Sequence, residues 1–329
     1  MSRLFSLCKI FTLGALSMAL AAGALPASAA TLVVAATKTP GGFDGDALKP
    51  NTQNVVVQVY EGLTKYGYKK DPKTGRMVLD PGTILPHLAT KWTVSPDGKT
   101  YTFELRKGVK SPFGNELTSA DVVWGWEKSL AQKRTGAFIA KASSVNKVEA
   151  VDRYNVSFTL DAASSIFLPA LTLYTPSLYD STEVKKYITA EDPWALKWID
   201  QNTAGFGAYH LQTLKSGEEA VFIANPNYFA GKPYYDRVVY KEVPNAGTRF
   251  TLMRTGQVQW VEELNLKQIA ELKKDKRVKV ESDEGSGHAS VRMNPTLKPF
   301  DNPLLRQAIS YATDYKAING AVQIAGADS

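Results

Sequence analysis

The sequence predicts a mixed α/β protein, with an α+β region followed by a region of alternating strands and helices. Three observations predict it. Over about residues 51–160, period-2 strands mix with capped helices and show no regular βαβ alternation. From residue 219 onward, apolar strand runs alternate with helical stretches, as in an α/β layer. The chain has 329 residues, 44% apolar and 22% charged, which is ordinary for a globular protein of two domains or one large one. That composition excludes a disordered tail, a collagen-like fibre and a polytopic membrane protein.

The first segment is a targeting signal. Arg3 and Lys9 give a basic start, residues 10–25 are uncharged and apolar, and Ala27-Ser28-Ala29 fits a small-x-small cleavage site. Residues 1–29 are therefore expected to be a secretory signal peptide. A membrane anchor fits less well, because the apolar core is short for a span and ends at a processing signature. Cys8 is the only cysteine and lies before that core, so no intramolecular disulfide is possible, and its place away from the cleavage point argues against a lipid anchor there. The formal charge is +7, spread along the chain without a basic-aromatic cluster, which argues against nucleic acid as a partner.

In the mature chain, residues 31–35 read as a buried strand and residues 39–46 as a Gly- and Asp-rich loop. Residues 54–63 read as a helix with Val55, Val56, Val59 and Leu63 on one stripe. A hairpin follows, residues 91–94 and 100–106 flanking Ser95-Pro96-Asp97-Gly98. There Pro presets one torsion and Gly accepts a positive φ. Thr118 and Asp121 have the spacing of a capping box before the apolar stripe Val122, Val123, Trp126 and Leu130. Residues 154–160, 219–224, 237–243 and 278–281 read as strands, and residues 248–254 and 266–273 as helices. Pro303, after Asp301 or Asn302 as cap, opens a last helix. Its stripe of Leu304, Leu305, Ala308, Ile309 and Ala312 is expected to be buried.

No catalytic or metal-binding constellation emerges. His87, His210 and His288 are not at metal-ligand spacing from one another or from other ligand residues. Gly285-Ser286-Gly287 beside His288 lacks the spacing of a nucleophile elbow. Gly98-Lys99-Thr100 fails as a phosphate loop because Thr93 stands where the first Gly is needed. Asp44-Gly45-Asp46 fails as a calcium loop at Leu48 and Val55. The Glu262-Glu263 pair reads as a solvated face. A secreted binding protein is thus the leading class, ahead of a secreted hydrolase with an unrecognised site.

Several segments resemble the extracellular solute-binding proteins of family 5, the dipeptide, oligopeptide and nickel group that serves ABC transporters. Residues 85–110, from Leu85-Pro86-His87-Leu88-Ala89 through Trp92, Asp97-Gly98-Lys99-Thr100-Tyr101-Thr102-Phe103 and Leu105-Arg106-Lys107-Gly108-Val109-Lys110, carry the first and longest motif. The others are residues 113–122, Gly205-Phe206-Gly207-Ala208-Tyr209, Asn225-Pro226-Asn227-Tyr228-Phe229, and Asn294-Pro295 through Pro299-Phe300-Asp301 to Asp314. Phe206 and Ala208 depart from the family's usual Thr and Pro.

The resemblance implies a class II periplasmic-binding fold with two ligand-gripping lobes and an adjunct domain. Lobe I would comprise residues 30–50 and 204–290, the adjunct residues 51–203, and an incomplete lobe II would start at residue 291, the chain being truncated. It further implies a periplasmic monomer without cofactor or metal, holding a peptide or another small solute for ABC permease subunits. Ligand-binding candidates are Phe43 and Asp44 in the loop after the first strand, Gly205, Phe206, Gly207 and Tyr209 in the Gly-rich turn, and Trp260 after Gln259. Asp44 offers a charge for a ligand amine, the glycines let a ligand backbone approach, and Trp260 offers an apolar platform. Each also has a structural reading: a loop acid, a tight turn or a core aromatic. Asn294, at the crossover between lobes, is the hinge candidate.

Overall fold

The computed structural model describes residues 30–47, 49, 51–72, 75–280 and 291–318. The leader, Cys8 and the stretch around His288 lie outside the described residues. In chain order, β1 (Thr31–Ala36) leads to a single helical turn, α1 (Gln53–Val56), and a hairpin of β2 (Thr64–Lys70) and β3 (Met77–Pro86). A second hairpin, β4 (Ala89–Val94) and β5 (Thr100–Leu105), precedes helices α2 (Ser119–Gln132) and α3 (Thr135–Ala142). Then come β6 (Val145–Ala150), β7 (Asn155–Leu160), and three short helices, α4 (Phe167–Ala170), α5 (Ser181–Val184) and α6 (Leu196–Gln201). The rest alternates: β8 (Tyr209–Lys215), β9 (Glu219–Ala224), β10 (Arg237–Glu242), α7 (Ala246–Arg254), β11 (Trp260–Val261), α8 (Leu266–Leu272) and α9 (Pro303–Ala312).

Local chemistry sets the boundaries. Gly98 takes φ +69° in the β4–β5 turn, which closes through Ser95 N–H and the Thr100 carbonyl at 2.9 Å. The Asp121 carboxylate accepts from the Thr118 N–H at 2.7 Å, completing the capping box of α2, and from the Ser181 N–H at 2.8 Å, tying α2 to α5. Asn245 and Asn265 cap α7 and α8 by accepting from the third backbone N–H of each helix, and Asn302 caps α9.

Three expectations require correction. The helix at residues 54–63 closes after Val56 and continues as turns. Its later carbonyls are taken by a distant segment: Gly207 N–H donates to Val59 O at 2.9 Å and Tyr209 N–H to Gln58 O at 3.0 Å. The stripe Val55, Val56, Val59 and Leu63 is nonetheless buried. Residues 278–280 form no strand. Val278 N–H turns back to the Asp275 carbonyl, and no described strand pairs with the segment. The apolar stripe of α9 is not buried. Leu304 is 69% exposed, because no described element packs over it.

Two sheets organise the chain. In the four-stranded antiparallel sheet, order β4-β5-β7-β6, Phe103, Leu105, Val156, Phe158 and Leu160 point inward. They meet Val122 and Trp126 of α2 and Phe167 of α4 in one core. The five-stranded sheet, order β11-β1-β10-β9-β8, joins strands from opposite ends of the chain. Here β1 is parallel to both β10 and β11, while β9 is antiparallel to β10 and β8. A second core packs Val34, Phe222 and Val238 of this sheet against Val55, Val56, Tyr60, Tyr179 and Ile199. Helix α2 serves both cores, Trp126 in the first and Trp124 in the second. Helix α7 lies against β1 and β11.

Candidate functional site

Strand register collects one face of the five-stranded sheet into a cavity. Leu32 and Val34 of β1 stand opposite Val238 and Tyr240 of β10, Val238 stands opposite Phe222 of β9, and Trp260 of β11 stands opposite Val34. Tyr209 lies on the same side of β8, two residues from Leu211, which pairs with Phe222. These side chains, with Tyr235 and with Asn54, Val55 and Gln58 from the α1 segment, line an open cavity of about 310 Å³. No lining residue is charged. The volume is at the lower end for small-molecule sites, and the lining is the usual one: aromatic and aliphatic, with a few polar groups.

The polar groups at the wall are oriented. The Tyr209 hydroxyl donates to the Tyr235 carbonyl at 3.0 Å, and the Tyr240 ring meets Phe222 edge-on at 6.0 Å. Burial and the charge of Glu262 push the Tyr240 hydroxyl up to about 12, so it is a neutral donor at physiological pH. Burial raises the Glu262 carboxyl, which accepts from the Asn54 amide at 3.0 Å beside the cavity. Trp260 is 60% exposed, free to cover an apolar group. Gln259, just before it, accepts from the Val33 N–H at 2.9 Å and fixes β11 on β1. Such a surface holds an apolar group by burial and offers Tyr hydroxyls and side-chain amides as hydrogen-bond partners. Among the described residues no group of three or more His, Cys, Asp or Glu side chains is placed to hold a metal ion.

The structure brings two of the sequence candidates, Tyr209 and Trp260, to this cavity and places the others elsewhere. Phe43 is fully buried, edge-on to Phe222 at 5.9 Å in the second core. Phe206 is buried in the first core. Gly205 and Gly207 face protein: a Cβ at Gly205 would overlap the Val59 carbonyl oxygen, and one at Gly207 would lie 2.5 Å from Gln58 O and 2.6 Å from Val59 O. The close approach that requires glycine here is to the α1 segment, not to a ligand. Asn294 is exposed and caps a turn through Thr296 N–H at 3.0 Å.

Asp44 is not a solvated loop acid. It is 3% exposed, and its carboxylate accepts from Lys128 Nζ at 2.8 Å, the Tyr179 hydroxyl at 3.0 Å and Arg134 at 3.3 Å. Asp46 takes a second Lys128 contact at 3.0 Å and the Ser129 hydroxyl at 2.7 Å. Burial raises the Asp44 carboxyl, but Lys128 and its hydrogen bonds outweigh it and hold the group below its ordinary value. For Asp46, burial outweighs Lys128, and the neighbouring Asp44 charge adds to the rise. Lys128 comes from α2, so the network locks the loop after β1 to the helix that serves both cores. Lys128 sits on α2 one turn after Trp124, the tryptophan of the second core, and that helical spacing was the available sequence signal for it.

With this geometry in place, comparison with known proteins defines the class. A binding protein from Helicobacter pylori, an ABC transporter-associated periplasmic DppA solved with the peptide STSA, superposes with a TM-score of 0.72 at 24% identity, covering 88% of this chain and 58% of its own. The fold is therefore that of periplasmic solute-binding proteins. Residues 83–327 match the middle region of the bacterial extracellular solute-binding proteins, family 5, and the chain belongs to that family. The probable di/tripeptide-binding protein 5 of Pseudomonas aeruginosa is 32% identical over 88% of this chain and 56% of its own length. Heme-binding protein A of Haemophilus influenzae is 29% identical over 89% and 54%. The chain thus spans about half the length of the curated relatives it matches. No helix among the described residues is long and apolar enough to cross a membrane.

Proposed function

We propose that this protein is a periplasmic receptor that binds di- to oligopeptides and delivers them to the permease subunits of an ABC transporter. The cavity on the five-stranded sheet supports this reading most directly. An uncharged aromatic recess accepts an apolar side chain of a peptide, and it leaves the charged termini outside, where they stay solvated or meet other groups. The relatedness to a probable di/tripeptide-binding protein points the same way. An extended peptide is held largely by main-chain hydrogen bonds, strand to strand, which tolerates varied side chains.

Under this reading residues 1–29 direct export, residues 30–50 and 204–290 form lobe I, and residues 51–203 form the adjunct. Residues 291–329 begin lobe II, with Asn294 at the hinge. The lobes close on the ligand, and the transporter recognises the closed form. The receptor acts as a monomer, without catalysis and without a cofactor. A second reading, a haem or nickel-chelate receptor, has the relationship to a heme-binding protein in its favour.

Thermal-shift screening with di- to pentapeptides, haem and a nickel–histidine complex, run beside a turnover assay on the same peptides, tests these readings. A ligand at 100 times its Kd stabilises the folded state by about 2.7 kcal/mol. Stabilisation by peptides without product is the expected result. Stabilisation by haem or the nickel complex alone would move the assignment to the second reading. Peptide hydrolysis that survives purification would replace both with an enzyme.

A further inference from the structure

The β2–β3 hairpin carries a surface that neither core uses. Its base is held in place, with Thr64 N–H bonded to the Leu171 carbonyl at 3.3 Å and α4 packed on both strands. Toward its end the register sets Tyr68 opposite Leu79 and Lys70 opposite Met77, so these four side chains share one face. Tyr68 and Met77 are each 63% exposed and Leu79 is 54% exposed. Lys65, Lys69 and Lys70 are exposed along the same strand. Lys69 pairs with Asp80 at 3.2 Å, while Lys65 and Lys70 make no ion pair among the described residues. A phenol ring, two flexible apolar side chains and the unpaired Lys70 thus share one face of a two-stranded finger, while Lys65 and Lys69 lie at the alternate positions of the same strand.

Exposed apolar groups gathered on one face mark an interaction surface. Their chemistry selects the partner. Tyr beside apolar side chains and lysines is the composition of segments that sit at the water–lipid boundary, with rings and methyl groups among the headgroups and lysine stems extended toward phosphates. Lysines near an anionic bilayer are attracted by its surface potential. The shape agrees. A protein partner recognised by fit needs a surface on the order of 800 Å² per side, which a few side chains on a finger do not supply, whereas a fluid interface needs no matching surface. We infer that the face of the β2–β3 hairpin bearing Tyr68, Lys70, Met77 and Leu79 docks the protein on an anionic phospholipid bilayer. This inference does not depend on which ligand the cavity holds.

Vesicle sedimentation of the protein lacking residues 1–29 tests it, with phosphatidylglycerol-containing vesicles compared with pure phosphatidylcholine vesicles at low and high salt. Binding is expected to favour the anionic vesicles and to weaken as salt rises. The variant Lys70→Gln should bind about fivefold more weakly. Tyr68→Ser/Leu79→Ser should also weaken binding, without shifting the thermal midpoint, since both side chains are exposed. Equal binding to the two kinds of vesicle, no binding to anionic vesicles, or undiminished binding by both variants would overturn the inference. The second of these results would leave the patch to a protein partner.

Discussion

The two larger sheets of this protein solve opposite problems. The four-stranded sheet is closed: one face is sealed by α2 and α4, and Phe103, Phe158 and Phe167 are wholly buried in its core. The five-stranded sheet has α7 against β1 and β11 only, and its face bearing Val34, Phe222 and Val238 borders both the second core and an open aromatic cavity. The first sheet is made of neighbouring hairpins, whereas the second inserts β1 between β10 and β11, some 200 residues away in the chain. Both sheets carry a buried core, and the cavity opens on the five-stranded one. Among the aromatic side chains of the cavity Trp260 alone is exposed, so it adds little to folding and is available for a ligand.

The largest expected effect lies at the junction. Lys128→Met leaves Asp44 and Asp46 buried with only the half-exposed Arg134 as a cationic neighbour. It should cost about 3–5 kcal/mol, read from urea unfolding. A loss below about 1 kcal/mol would mean that the network does not hold the two units together. Gly207→Ala comes next. Its Cβ would press on the Gln58 and Val59 carbonyl oxygens, and a cost of about 1–3 kcal/mol is expected in the same experiment.

The two aspartates should respond to pH with opposite signs. The Asp44 carboxyl is lowered in the folded state, so its contribution is complete above the unfolded value of 3.8 and is lost as pH falls through the folded value. Asp46 is raised, so its ionisation opposes folding as pH rises from 3.8 through its folded value. The destabilisation caused by Asp44→Asn should therefore be greatest at neutral pH and shrink in acid. That caused by Asp46→Asn should be greatest in acid and shrink toward neutrality. Urea midpoints for both variants from pH 7 down to about pH 3 measure this, and parallel curves would contradict it.

The smallest effect on stability, and the largest on binding, is expected at the cavity. Trp260→Ala should change stability by less than about 0.5 kcal/mol, as at other exposed positions. It should weaken binding of peptides with apolar side chains by about tenfold or more, as loss of an aromatic anchor does.

How much was legible follows from the same contrast. The β4–β5 hairpin, the Thr118–Asp121 box, β7, β9, β10 and the Asn302 cap of α9 depend on chemistry within a few residues, and each stands where the sequence places it, whereas the Asn245 and Asn265 caps of α7 and α8 were not read from it. Strands β2, β3, β6 and β8 are additions. β6 reads Val-Asn-Lys-Val-Glu-Ala with no buried position and gains its state from pairing with β7. Tyr209 and Trp260 were accessible as aromatics beside turns. Leu32, Tyr235 and Tyr240 join them only through the β1–β10 pairing, which no local pattern encodes. Asp44 misled because a Gly- and Asp-rich loop normally faces water, and its partner Lys128 lies 84 residues away.

One measurement bears most directly on the open sheet face as a ligand surface: calorimetric titration of the protein and of its Trp260→Ala variant with leucyl-leucine and with glycyl-glycine. Leucyl-leucine should bind with a negative heat-capacity change, more tightly than glycyl-glycine, and that preference should disappear in the variant while its thermal midpoint stays unchanged. Equal affinity of the parent and the variant for leucyl-leucine would contradict the account.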